Sequence, residues 1–95
     1  MKIKALIIDD EPLAQKVIEQ YALKIPELSI SGKCNDAISA YQFLQETKID
    51  LIFLDINMPK LSGISFLKNL KDAPLAIFTT AYPDYALEGF ELNAV

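Results

Sequence analysis

Three aspartates carry most of the chemistry this sequence could perform. Asp9 and Asp10 directly follow the apolar run Ile3 to Ile8, and Asp55 ends the wholly apolar Leu51-Ile52-Phe53-Leu54. Thr79 and Thr80 follow a further apolar run, Leu75 to Phe78. In an open parallel α/β sheet, residues just after the strands share one rim, and that rim is where ligands bind. Three carboxylates brought together there repel one another unless a cation sits among them. A hard divalent ion with oxygen ligands would relieve the repulsion. Mg2+ keeps several waters and takes one or two carboxylates plus substrate phosphate. The residue types therefore point to Mg2+ and a phosphorylated substrate. An ionised Asp55 needs no general base to attack phosphorus, and a metal would neutralise the charge that develops. A threonine hydroxyl could donate a hydrogen bond to a phosphoryl oxygen. The product would be an aspartyl phosphate.

Each of these residues also has a plainer role open to it. Asp9 and Asp10 alone could simply favour the N-terminus of a helix. An aspartate after a strand is common in loops, and threonines are ordinary strand formers. Tyr41, Tyr82, Tyr85 and Phe90 read as packing residues rather than as a cofactor box. The acids gain weight from falling at the same end of one expected sheet, because a motif is a hypothesis until its structural context supports it.

The elements that must position them alternate along the chain. Ile3 to Ile8 reads as a buried strand. Asp10-Glu11-Pro12 opens a helix, with an acid at the cap and proline at the first position. Leu13, Val17, Ile18, Tyr21 and Ile25 are expected on its buried face, and Pro26 to end it. Leu28 to Cys34 reads as a more polar strand near an edge. Asn35 or Asp36 caps a second helix to about Thr47, with Ile38, Tyr41 and Leu44 or Gln45 at helical spacing. Leu51 to Leu54 is the third strand. A turn over Pro59 to Gly63 leads to a short helix, Ile64 to Leu70, starting after Ser62. Leu75 to Phe78 is the fourth strand, and Pro83-Asp84 opens a fourth helix to about Leu92. This β-α-β-α-β-α-β-α order implies parallel strands joined by right-handed crossovers.

Composition narrows the function classes. The chain has 95 residues, 52% of them hydrophobic, enough for one domain and too few for two. Its net charge is −4, and all nine basic residues are lysines, with no arginine and no histidine. Such a segment repels nucleic-acid phosphates, and it offers neither a histidine base nor a histidine metal ligand. Cys34 is the sole cysteine, so no internal disulfide can form. The first apolar run is too short for a signal peptide, and no stretch approaches the ~20 apolar residues of a membrane span. A cytoplasmic location is the simplest expectation.

Together the motifs resemble the response-regulator receiver domain. The segments that carry the resemblance are Ile8-Asp9-Asp10-Glu11-Pro12, the run from Asp50 through Asp55 to Pro59 with Gly63, and Thr79-Thr80-Ala81-Tyr82. They cover the whole chain in order and spacing. Glu11-Pro12-Leu13-Ala14 and Asp84 to Phe90 look like receivers joined to LytTR-type DNA-binding domains. The resemblance implies a flavodoxin-like, doubly wound parallel sheet of strand order 2-1-3-4. It implies Asp55 as phosphoacceptor. Mg2+ would be bound by Asp10 and Asp55, by the Asn57 backbone carbonyl and, through water, by Asp9. Thr80 would be the switch hydroxyl, with the Ala81 backbone beside the phosphoryl group. Pro59 and Gly63 would shape the loop after the phosphoacceptor. The donor would be a sensor histidine kinase or a small phosphodonor, and the output would be transcription through a DNA-binding domain outside this chain.

The family also has a fifth strand with a lysine at its end, and a fifth helix. Asn93-Ala94-Val95 resembles the approach to that strand, so residues 1–95 are expected to be a receiver incomplete at its C-terminus. Lys60 belongs to the loop after Asp55 and is no replacement for that lysine. The fourth strand is then expected at an edge, with a homodimer through the fourth-helix and fourth-strand face as one way to cover it. Two rival readings remain. One is a phosphohydrolase with an aspartate nucleophile, a class that places a second aspartate where this chain has Asn57. The other is a phosphorylation-incompetent fragment acting only as an interaction module.

Overall fold

In the computed structural model, residues 2–56, 58 and 61–79 are described. They form β1 (Ile3–Ile8), α1 (Pro12–Ala22), β2 (Leu28–Cys34), α2 (Ala37–Glu46), β3 (Leu51–Leu54), α3 (Gly63–Lys68) and β4 (Leu75–Phe78). The strands make one sheet of order β2-β1-β3-β4, parallel at every pairing. The parallel pairing is that expected from the element order, and the doubly wound strand order 2-1-3-4 is that implied by the resemblance. The more polar β2 lies at one edge, and β4 lies at the other among the described residues. The expected fourth helix, over residues 83–92, falls outside them.

The register puts the strand ends level. Ile8 pairs with Leu54, and Leu54 pairs with Phe78. The ladder then continues one residue further. The Asp55 N–H donates to Ile8 O at 2.9 Å, and the Thr79 N–H to Leu54 O at 3.0 Å. On the other side, the Asp9 N–H donates to Cys34 O at 3.0 Å. Asp9, Asp55 and Thr79 therefore leave the sheet side by side.

Side chains alternate between the two faces of the sheet. Leu6, Ile8, Ile52, Leu54 and Ala76 form one core with Ala37, Ala40, Phe66 and Leu67 from α2 and α3. Ala5 and Ile7 point to the opposite face and are fully buried, where α1 packs on β1 and β2. Burial on both faces explains why Ala5 to Ile8 and Leu51 to Leu54 read as unbroken apolar runs.

The helices were less well placed by their apolar residues. On α1, Leu13 is 75% exposed, Val17 50% and Tyr21 65%, and Ile25 lies beyond the helix and is exposed too. The buried stripe runs instead through Gln15, Ile18 and Ala22, at i, i+3 and i+7, with Ile18 half-buried. On α2 the sheet-facing row is Ala37, Ala40, Tyr41 and Leu44, and Ile38 is exposed. Ala22 on α1 and Ala37 and Ala40 on α2 let each helix approach the sheet closely, and on α2 Tyr41 and Leu44 pack against the core beside them.

Candidate functional site

The β1–α1 turn presents two of the acids. Asp9 is 5% exposed, and its carboxylate accepts a hydrogen bond from the Glu11 backbone N–H at 2.9 Å. That bond closes a tight turn around Asp10. Glu11 occupies the cap position of α1 with extended backbone, but its side chain makes no cap hydrogen bond. Pro12 at the start of the helix has no N–H to satisfy. The acid expected to cap α1 therefore does so by position alone.

β3 presents the third acid from the neighbouring strand end. Asp55 is held to β1 by its backbone N–H and leads into the loop before α3. The loop is closed by the Gly63 N–H, which donates to Ile56 O at 2.8 Å. Ser62 then caps α3, its hydroxyl accepting from the Ser65 N–H at 3.1 Å. Glycine is needed at position 63 for closeness and not for backbone freedom. Its φ is not positive, and a side chain there would overlap the Asp55 carbonyl.

Asp9, Asp10 and Asp55 converge, each offering one carboxylate oxygen, all within 4.8 Å of one another. Around an octahedral Mg2+ ion with bonds of about 2.1 Å, ligand oxygens lie about 3 Å apart when adjacent and about 4 Å when opposite. Separations of no more than 4.8 Å are compatible with that cage. The donor set, all oxygen and all acidic, fits Mg2+ and does not suit a soft metal.

The electrostatics carry the same message. The Asp9 carboxyl is raised above its ordinary value of 3.8, first because burial removes water from the charged form and then because Asp10 repels it. The Glu11 N–H and a hydrogen bond shared with Asp55 act against that rise. A buried carboxyl pushed up by a neighbouring acid is better ionised with a cation present.

The structure thus brings together Asp9, Asp10 and Asp55, the three acids singled out from the sequence. Thr79 reaches the same rim. Asn57, Pro59, Lys60, Thr80 and Ala81 lie outside the described residues. One residue at the site was missed. Gln15 is 7% exposed, and its side-chain amide donates to Asp9 O and to Asn35 Oδ1, both at 2.7 Å. The available signal was its place on the Ile18 and Ala22 row. Among the described residues, no helix is long and apolar enough to cross a membrane.

Comparison with known proteins gives a consistent picture. Residues 5–95 match the family described as the response regulator receiver domain. The chain is 38% identical to protein MrkE of Klebsiella pneumoniae, over 98% of this chain and 36% of that protein. It is 35% identical to the transcriptional regulatory protein BtsR of Escherichia coli K12, over 97% of this chain and 39% of that one. It therefore spans less than two fifths of the length of these relatives. The crystal structure of the MrkE response regulatory domain superposes with a TM-score of 0.87 at 37% identity, covering 97% of this chain and 78% of that one. The response regulator domain of Thermotoga maritima CheB superposes with a TM-score of 0.86 at 28% identity, covering 100% and 75%.

Proposed function

The chain belongs to the response-regulator receiver family, and from that premise we propose that it accepts a phosphoryl group on Asp55 and passes on a signal. The observation that carries the reading is the convergence of Asp9 and Asp10 from one strand end with Asp55 from the next. Asp10 and Asp55 would hold Mg2+ with their carboxylates, Asn57 with its backbone carbonyl, and Asp9 through a water molecule. The metal would supply positive charge against the phosphoryl oxygens.

Asp55 acts as the nucleophile. One of its carboxylate oxygens attacks phosphorus as the donor's P–N bond breaks, when the donor is a phosphohistidine. A P–O bond forms, and the imidazole nitrogen leaves with the bonding electron pair. The Asp55 carboxylate reacts in its ionised form, so no base is required. Thr80 would donate its hydroxyl to the phosphoryl group, with the Ala81 backbone beside it, which couples chemistry at β3 to movement after β4. The reading is of a phosphoacceptor that changes state once per transfer, not of an enzyme with high turnover.

The donor fitting this role is a sensor histidine kinase, or a small molecule such as acetyl phosphate. The output is proposed to be transcription through a further DNA-binding domain of the LytTR type, with the receiver in the cytoplasm. The name of the relative BtsR, a transcriptional regulatory protein, supports the first of these. A homodimer through β4 and the helix expected after it would cover the edge strand.

The test is incubation with Mg2+ and acetyl phosphate, or with beryllofluoride, comparing wild type with Asp55→Asn. A hydroxylamine-sensitive adduct of one phosphoryl group, absent from the variant, is expected. Rapid repeated hydrolysis of phosphomonoesters would favour the phosphohydrolase reading instead. An unmodified wild-type protein would leave only the interaction module.

A further inference from the structure

Gln15 takes no part in the chemistry above, yet its buried amide is bonded to the ends of two strands beside the acids. Its Nε2 donates to Asp9 O at 2.7 Å and to Asn35 Oδ1 at 2.7 Å, and lies 3.4 Å from Cys34 O. An amide nitrogen carries two hydrogens. The two short bonds use both, and the Cys34 carbonyl shares one of them at longer range. These acceptors belong to the carboxyl ends of two different strands. We propose that Gln15 is a positioning residue for the acid cluster, clamping the turn that carries Asp9 and Asp10 to the end of β2. The proposal rests on the reading of that cluster as a metal site.

Three observations converge on it. First, Gln15 sits on the buried row of α1, where an apolar side chain would serve packing better. A buried amide is costly unless it is hydrogen-bonded. Second, Asp9 is gripped at three points. Its N–H donates to Cys34 O, its carbonyl accepts from Gln15, and its carboxylate accepts from Glu11. Asp10 lies between Asp9 and Glu11, which the Asp9 carboxylate ties together. Third, β2 is out of simple register. Ile3 to Ala5 pair with Leu28 to Ile30, but Leu6 pairs with Gly32. Without that one-residue bulge, Ile8 would face Lys33. With it, Ile8 faces Cys34, and Asn35 arrives beside the α1 amide. Bulges re-aim the residues that follow them.

The neutrality of Gln15 also matters. A glutamate there would add another negative group to an acidic cluster. A lysine would draw the carboxylates toward itself and compete with a cation. A neutral donor fixes the turn without doing either. Residues that orient metal ligands commonly change metal affinity 10–100-fold when lost.

The experiment measures Mg2+ binding by calorimetry and, without metal, hydrogen exchange of the Glu11 amide. Gln15→Met is compared with Ile49→Ala, which destabilises the core at the opposite end of β3. Gln15→Met is expected to weaken Mg2+ binding about tenfold or more and to expose the Glu11 amide to exchange. Ile49→Ala is expected to lose stability and keep wild-type affinity. Wild-type affinity in Gln15→Met, or an equal loss in Ile49→Ala, overturns the proposal. If Gln15→Met does not fold, Asn35→Ala removes one acceptor and is expected to weaken binding in the same direction, and unchanged affinity there overturns it equally. Asp10→Asn separates the two claims. If wild type and Asp10→Asn bind Mg2+ alike, the metal reading fails, and the Glu11 exchange still decides whether Gln15 holds the turn.

Discussion

A methyl group on Gly63 would overlap the backbone carbonyl oxygen of Asp55. The first residue of α3 is thus packed against the peptide of the proposed phosphoacceptor. Gly63→Ala must push the helix or the loop away. We expect a loss of about 1–3 kcal/mol, typical of overpacking, read from the urea midpoint. Phosphorylation should fall with it, because the shift acts directly on Asp55. A variant as stable as wild type would show that the loop yields freely.

Gly32 poses a similar problem with a different solution. A Cβ there would lie 2.6 Å from the Phe43 ring, the far end of a side chain that can move. Gly32→Ala is expected to cost about 1–2 kcal/mol. Phe43→Leu in the same chain should recover part of that loss. A double-mutant cycle by denaturant unfolding should therefore show coupling, whereas simple additivity would mean the two do not meet.

Asp9 makes the metal-free protein sensitive to pH. Its carboxyl is raised above 3.8 in the fold, chiefly by burial. Between 3.8 and the raised value, the folded state binds more protons than the unfolded state. Asp9's contribution to stability therefore falls as pH rises through that window, and the loss persists at neutral pH. Asp9→Asn should be the more stable form at pH 7 without metal, and the difference should shrink as pH falls below the window. Mg2+ should reverse the order at neutral pH, and its affinity for wild type should weaken as Asp9 protonates. Thermal unfolding with and without Mg2+ across pH checks both signs.

Asp36 offers a control away from the acids. Its side chain accepts from the Ser39 N–H at 2.8 Å and caps α2. Asp36→Ala should lower stability by about 1 kcal/mol and leave Mg2+ affinity as in wild type. A marked change in affinity would mean that α2 communicates with the rim more directly than the hydrogen bonds indicate.

The two central strands, β1 and β3, were legible because each holds a short apolar run shielded on both faces, and a run of that kind has few other fates. The three acids were legible for a related reason. Ile8 and Leu54 end level in the sheet, so position after a strand translated directly into position in space. Helix faces were less legible. Leu13, Val17 and Tyr21 form a clean apolar row, yet the sheet takes the row with Ala22 and Gln15. Hydropathy ranks leucine above glutamine, and it contains no term for the carbonyls that a buried amide will meet. The β2 bulge went unread too, although Gly32 beside the skipped Ser31 is the kind of residue that marks one.

The level strand ends have a mechanical consequence. Asp9 and Asp55 occupy the last rungs of the ladder, where a sheet frays first, and Asp10 adds its repulsion of Asp9 there. A cation among them would act as a rivet through the end of the sheet. Loading the site should therefore slow exchange of the Asp9, Asp55 and Thr79 amides more than that of amides at the opposite end. Ion binding and local melting of the rim would then be two views of a single equilibrium.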